Sequence, residues 1–272
     1  MSKEACIFTI GTYAEWSNMK EQLYTIPLND AFHASDECPF CFIERSIERD
    51  LLDFVLGNGS SYMESHVREA TDKAGFCRNH YKKMYDYGNT LGNAWILKTY
   101  FIRTNHEMSQ QFKNFKSGKL SFKSKLKKTI GVRQNSISAW LEEREHSCYI
   151  CNQFDDYYER YMDTFFVMYK RDEEFRKLVK SSKGFCLTHF SDLCESAETK
   201  LNDTQKTSFY PDMFTLMEQN MKRLEDDVTW LVDKFDYRNH DADWKNSKDA
   251  AQRGMQKMKG GYPGDSPYKM NK

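Results

Sequence analysis

The sequence has few of the residues that interrupt helices, and its charge has no excess of either sign. Only 5 of its 272 residues are proline and 13 are glycine. Because both residues end or weaken helices, their scarcity leaves room for long uninterrupted ones. Forty basic residues balance forty acidic ones. The whole chain therefore has no net field that would attract nucleic acid or an anionic membrane.

Long apolar runs and targeting segments are also missing. No stretch approaches the roughly 20 apolar residues that a membrane-spanning helix needs. The apolar run Ala5–Ile10 is too short for the core of a signal peptide, and it follows Glu4. We therefore expect a cytoplasmic protein that does not insert into a membrane. Disulfides are rare in that compartment, so paired cysteines there more often hold a metal or carry out redox chemistry.

No familiar catalytic motif is present. The sequence has no glycine-rich phosphate loop, no Gly-x-Ser-x-Gly and no His-Glu-x-x-His. A protein without catalysis is therefore expected.

One cysteine–histidine pattern occurs twice. Each copy has a Cys-x-x-Cys pair and, further along, a Gly-Phe-Cys-x-x-His segment. Thirty-five residues separate the Cys-x-x-Cys pair from the next cysteine in the first copy, and 34 do so in the second. Such similar spacing indicates an internal duplication. The eight residues are Cys38, Cys41, Cys77 and His80 in the first copy and Cys148, Cys151, Cys186 and His189 in the second.

Each copy supplies three thiols and one imidazole, a complete tetrahedral ligand set for Zn²⁺. We therefore predict two zinc sites, one within each copy. A closed four-ligand set leaves no position for water or substrate, which is typical of structural zinc. Iron–sulfur clusters are the alternative cofactor, although such clusters usually take four thiolates. A thioredoxin-like redox pair would need a βαβ context, which the sequence does not show.

The apolar spacing predicts an all-α protein of two pseudo-repeated helical modules, each with a Cys3His site. Residues 1–36 read as a lead-in, with Ile26–Leu28 extended, and residues 251–272 read as a flexible tail. Apolar residues that recur in steps of three and four after Pro211 predict a last long helix. We expect this helix to pack within the chain. The modules are predicted at 37–112 and 136–250, with a basic linker at 113–135 between them.

The linker region has a marked charge pattern. From Met108 to Leu141 the sequence has no acidic residue, and eight basic residues lie between Lys113 and Arg133. One interpretation is that these basic side chains form a strip that binds the phosphates of nucleic acid. A solvated connection between modules is favoured, because the chain as a whole has no net charge.

These motifs, together with Ile26-Pro-Leu-Asn-Asp-Ala-Phe32 and Glu37-Cys-Pro-Phe-Cys41, resemble an uncharacterised family of anaerobic bacteria catalogued as a domain of unknown function. The resemblance extends from about Tyr24 to about Gly261. It implies a cytoplasmic helical protein with paired Cys–His sites and no established activity. Some members are labelled ABC-transporter substrate-binding proteins, a label that conflicts with the missing export signal.

The functional expectation is a zinc-stabilised helical protein that binds a protein partner or a small ligand between its modules, without catalysis. The first alternative is an iron–sulfur or thiolate redox and electron-transfer protein. The second is a nucleic-acid-binding protein that uses the basic linker. The sequence leaves the oligomeric state open.

Overall fold

A computed structural model describes residues 13–59, 61–115 and 135–261, with side chains from residue 23 onward. Within these ranges all regular structure is helical and there is no strand, as predicted. Two short 3-10 helices, Ser61–Met63 and Tyr237–Asn239, accompany the α-helices. The α-helices are α1 (Tyr13–His33), α2 (Pro39–Leu56), α3 (Ser65–Ala74), α4 (Arg78–Tyr87), α5 (Thr90–Asn114), α6 (Ser136–Glu145), α7 (Tyr149–Arg171), α8 (Glu173–Ser181), α9 (Leu187–Lys200), α10 (Asp203–Asp233) and α11 (Ala250–Lys259).

None of the helices in the described ranges combines the length and the hydrophobicity needed to cross a bilayer.

The chain divides into two compact units that differ from the modules expected at 37–112 and 136–250. Unit I contains the described residues up to Arg45 and those from Tyr158 onward, and unit II contains those from Ser46 to Tyr157. The divisions fall inside α2 and α7. Each unit therefore combines parts of both sequence copies.

Aromatic side chains form the core of unit I. Phe32 of α1 packs with its ring centroid 5.3 Å from that of Phe175 and 6.1 Å from that of Phe165. Phe40, at the start of α2, lies 5.8 Å from Phe165 and 5.9 Å from Phe185 by the same measure. All five rings are buried. Each such ring stabilises the fold by roughly 1.5–3 kcal/mol through burial.

The lead-in predicted at 1–36, with Ile26–Leu28 extended, is helical from Tyr13 to His33. Pro27 lies inside this helix, where a proline costs about 3 kcal/mol or more. Leu28, Ala31 and Phe32 are fully or almost fully buried at helical spacing. The free energy gained by burying these side chains against the aromatic core offsets the cost of the proline. This gain depends on residues far away in the sequence, so the local sequence did not indicate it.

Unit II is built around the second half of α2. Val55 of α2, Val67 of α3, Met84 of α4 and Ile96 of α5 are buried there. Tyr87 closes this core by donating a hydrogen bond from its hydroxyl to the Asp53 carboxylate at 2.9 Å. In contrast, α5 leaves several large apolar side chains exposed: Leu91, Phe101, Ile102 and Phe112.

Helix α10 begins earlier than the predicted start after Pro211. Asn202 and Gln205 form a capping box, in which each side chain bonds the backbone of the other residue. This cap fixes the helix start eight residues before the proline. Along the predicted seam, Met217 and Leu224 are buried in the chain, whereas Phe235 is 82% exposed. The seam therefore packs internally along only part of its length.

Residues 251–259, predicted to belong to a flexible tail, form α11. Lys257 on this helix is 1% exposed, and its ammonium donates to the backbone oxygens of Glu37 and Lys183 at 2.5 and 2.6 Å. Glu37, 2% exposed on its side chain, also accepts a hydrogen bond from Arg223 at 2.5 Å. A buried charge is costly unless it is paired, so these contacts anchor the helix to unit I. Residues 262–272 of the predicted tail lie outside the described residues.

Most of the basic linker predicted at 113–135 also lies outside the described residues, which omit 116–134.

Candidate metal centres

The eight predicted ligands come together in two groups of four, and each group joins both sequence copies. Centre A consists of Cys38, Cys41, Cys186 and His189, and it lies in unit I. Centre B consists of Cys77, His80, Cys148 and Cys151, and it lies in unit II. Within each centre all four ligand atoms lie within 4.8 Å of one another.

The expectation that each copy closes its own site is therefore wrong. The Cys-x-x-Cys pair of one copy meets the Cys-x-x-His pair of the other. Helix lengths give a physical reason. After Cys38, the 18 residues of α2 carry the chain roughly 27 Å, whereas the 10 residues of α3 span only about 15 Å. The shorter helix does not by itself return the chain to the start of α2.

Centre A has the dimensions of a site for one metal ion. Nδ1 of His189 lies 3.3 Å from the sulfur of Cys38, 3.4 Å from that of Cys41 and 3.1 Å from that of Cys186. The sulfurs of Cys41 and Cys186 are 3.8 Å apart. Tetrahedral Zn²⁺ with ordinary bond lengths separates two sulfurs by about 3.8 Å and a sulfur from a nitrogen by about 3.6 Å. The four side chains therefore fit a single tetrahedral ion.

Centre B has nearly the same geometry. Nδ1 of His80 lies 3.3 Å from the sulfur of Cys77, 3.2 Å from that of Cys148 and 3.4 Å from that of Cys151. The sulfurs of Cys77 and Cys151 are 4.0 Å apart. Each centre thus has the predicted composition of three cysteines and one histidine, but its members come from both sequence copies.

Helix starts position all four ligand pairs. Cys77 and Cys186 are the N-cap residues of α4 and α9, and Cys38 and Cys148 directly precede α2 and α7. The backbone N–H of His189 lies 3.4 Å from the sulfur of Cys186. The unpaired N–H groups and the positive end of the helix dipole stabilise thiolates at these positions. The glycine before each Phe-Cys, Gly75 or Gly184, has a positive φ, which allows the chain to turn just before these ligands.

A carboxylate backs each histidine, and sequence reasoning did not find this feature. Nε2 of His189 lies 3.0 Å from Oε1 of Glu44, and Nε2 of His80 lies 3.2 Å from Oε1 of Glu48. When Nδ1 binds a metal, Nε2 carries the ring proton and its N–H donates a hydrogen bond to the carboxylate. This arrangement fixes the ring and makes the ligating nitrogen more basic. Glu44 follows Cys41 by three residues, and Glu48 follows Glu44 by four. This helical spacing places both carboxylates on the face of α2 that carries Cys41, and it is the sequence signal for these two partners.

Hydrogen bonds and burial shift the pKa values of the candidate ligands in the metal-free centres. Burial lowers the pKa of His80, but hydrogen bonds to Cys148 and Glu48 outweigh it and raise that pKa to about 10. Burial raises the pKa of Cys148, but the hydrogen bond with His80 prevails and lowers it to about 6. In centre A, hydrogen bonds to Cys186, Cys38 and Glu44 outweigh burial and raise the pKa of His189 to about 12. In the absence of a metal these shifts favour an imidazolium beside a thiolate in each centre, and a bound divalent ion would take the place of the proton on Nδ1.

The two centres differ in how they are covered. The three cysteines of centre A are fully buried, whereas Cys77 and Cys151 of centre B are partly exposed. Part of the cover of centre A comes from the end of α11. At Gly260 an added Cβ would lie 3.4 Å from the sulfur of Cys186. Lys257, on the same helix, interacts electrostatically with Cys38, which suits the net charge of minus one that three thiolates leave around Zn²⁺.

Taken together, the described part of the chain is all-helical and contains two Cys3His groups at metal-binding distances. The model of a family of unknown function, DUF6062, matches residues 19–265, and the chain belongs to that family. No curated protein and no solved structure is significantly similar to the chain. Family membership brings no activity with it, and the association with anaerobic bacteria stays a prediction.

Proposed function

We propose that this is a zinc-stabilised helical protein that binds a partner or a small ligand without catalysis. Both centres are structural in this proposal, and each holds one Zn²⁺. The observation that carries it is the closed set of four ligand atoms in each centre, backed by a carboxylate on the histidine.

The ligand spacing favours one ion over an iron–sulfur cluster. In a cluster the thiolates bind different iron atoms, so their sulfurs stand further apart than around a single ion. The sulfur pairs at 3.8 and 4.0 Å match the separation of about 3.8 Å expected around one tetrahedral Zn²⁺. Three thiolates and one imidazole are also a common structural zinc set, whereas clusters usually take four thiolates.

The geometry also argues against a catalytic metal. A catalytic zinc keeps one position for water or substrate, and it usually has three protein ligands. Here the protein fills all four positions, and centre A is buried. The role left for each ion is to hold two helix starts together.

A groove in unit I is the best candidate place for a small ligand. It has a volume of about 590 Å³ and lies between α1 and α7. Leu23, Val167 and Met168 contribute apolar lining, and the charged residues that line it are Arg160, Asp163, Arg171 and Asp172. A molecule with an apolar body and a polar or charged end would suit this lining.

Metal analysis of protein purified without oxygen tests the proposal. We expect about two zinc ions per chain, little iron, and a colourless solution, since a structural zinc site has no visible chromophore. Iron with acid-labile sulfide and broad absorption would contradict it and would support the redox alternative. The nucleic-acid alternative depends mainly on residues outside the described ranges and stays a sequence-based prediction.

A further inference from the structure

Centres A and B form a natural matched pair for comparing thiol reactivity. They have the same ligand set, nearly the same distances and the same carboxylate partner for the histidine. Thiolate reactivity toward oxidants depends on charge state and on access. Because the chemistry is shared, access is the main variable that distinguishes the two centres.

Access differs sharply. In centre A the sulfurs of Cys38, Cys41 and Cys186 belong to residues that are 0% exposed. In centre B, Cys77 and Cys151 are both partly exposed, while Cys148 is 2% exposed. Cys77 and Cys151 are therefore the centre cysteines that lie nearest to solvent, and an oxidant has better access to centre B than to centre A.

The two accessible sulfurs are also neighbours. Cys77 and Cys151 are 4.0 Å apart at their sulfurs, and a disulfide requires about 2.05 Å. The two sulfurs must therefore approach by about 2 Å. The N-terminal turns of α4 and α7 carry these two cysteines, and helix ends are where local opening is easiest.

We propose that Cys77 and Cys151 are a peroxide-sensitive pair, oxidised to a disulfide with release of the metal from centre B, while centre A stays reduced. The inference rests on the proposed function, since it requires both centres to hold zinc. The co-reactant is a peroxide.

The reaction balances as a two-electron oxidation. The sulfur of Cys77 attacks one oxygen of the peroxide, the O–O bond breaks, and hydroxide leaves and takes a proton to form water. The sulfur of Cys151 then attacks the sulfenic sulfur of Cys77, and the S–S bond forms as a second water departs. Two thiolates are oxidised and one peroxide is reduced, with two protons consumed. Cys148 and His80 remain as two ligands, too few to retain the ion firmly.

The test uses the full zinc-loaded chain with Cys6→Ser and Cys194→Ser, which removes the two cysteines outside the centres. Hydrogen peroxide is added in steps, released zinc is followed with a colorimetric chelator, and cysteine states are mapped by alkylation and peptide mass spectrometry. We expect about one of the two zinc ions to be released first, with a Cys77–Cys151 disulfide that a dithiol reverses. Peptides carrying Cys38 and Cys186 should remain reduced at that stage.

Release of both ions at the same rate, or earlier oxidation of Cys38, Cys41 or Cys186, would overturn the inference. So would a disulfide between Cys148 and Cys151 in place of the proposed one. A chain that never loads two zinc ions would instead contradict the proposed function, so the two failures are distinguishable.

Alkylation of the unoxidised zinc-loaded chain is a second measurement that needs no ligand variant. There Cys77 and Cys151 should react well before the cysteines of centre A.

Discussion

The sulfur of Cys38 lies 3.3 Å from Nδ1 of His189, although 151 positions separate the two residues along the chain. A metal at centre A would therefore close a loop of about 145 residues between Cys41 and Cys186. The pairing expected within each copy would have closed loops of about 35 residues. Loop-closure entropy rises by about 0.6 kcal/mol per doubling, so the observed pairing constrains the unfolded chain by about 1.2 kcal/mol more.

Removing the carboxylate behind one histidine should weaken only the adjacent centre. We expect Glu44→Ala to lower the zinc affinity of centre A about 10- to 100-fold, because the carboxylate orients the ring and raises its basicity. Glu48→Ala should do the same to centre B. Chelator competition followed by cysteine mapping reports which centre has lost its ion. Asp50→Asn, an exposed change on the same helix, is the control and should leave both affinities unchanged.

Replacing a ligand cysteine should cost far more stability than replacing a cysteine outside the centres. Cys77→Ser removes one of four ligands from centre B, and structural zinc contributes on the order of 10 kcal/mol of binding free energy. Cys194, on α9, belongs to neither centre. Thermal unfolding of the two zinc-loaded variants compares them directly. Equal melting temperatures would remove Cys77 from the ligand set.

The all-helical character of the described residues and the set of eight residues that gather in the two centres could be predicted from the sequence, because both depend on short-range spacing. The amphipathic period after Cys41 predicts α2, and the repeated motif identifies all eight residues that gather in the centres. The partner of each Cys-x-x-Cys pair could not be predicted in this way. Both histidine pairs carry the same ligands, so composition alone cannot choose between them. The choice depends on helix lengths and on packing between residues that are 68 positions apart in centre B and 151 positions apart in centre A.

Residues 251–259 show a second limit of local patterns. This segment is polar, and several glycines follow it from Gly260 onward. Both features favour a flexible tail. Its helix is stabilised by contacts with residues far away in sequence, such as that between Lys257 and Glu37, 220 positions apart. A buried lysine is rare and is not expected from a local pattern.

That contact leads to a prediction about α11. Lys257→Met should destabilise the chain by about 3–5 kcal/mol, because it takes the donor from two backbone oxygens and removes one of the cations that face the buried Glu37 carboxylate. Lys259→Met is the matched control, on the same helix but exposed. Urea unfolding of both variants measures the difference. If the two midpoints coincide, α11 does not depend on this buried ammonium.

Gly260 should tolerate no side chain. Its φ of 77° and ψ of 179° fall in a region that only glycine occupies readily, and a non-glycine residue there costs about 1–3 kcal/mol. Because Gly260 covers the sulfurs of centre A, Gly260→Ala should also speed zinc loss from that centre. Gly254→Ala, in the interior of α11, should instead be neutral or stabilising by up to about 1 kcal/mol. Unfolding midpoints and chelator-driven zinc release measure both effects.

The pairing of the ligands is the central claim, and counting the zinc in two double variants by native mass spectrometry tests it most directly. Cys38→Ser with Cys186→Ser takes two ligands from centre A and none from centre B, so we expect one tightly bound zinc per chain. Cys38→Ser with Cys77→Ser takes one ligand from each centre, so we expect both ions to be weakened and no tightly bound zinc. The opposite pattern, with one tight zinc in the second variant and none in the first, would show that each sequence copy closes its own site and would contradict the account.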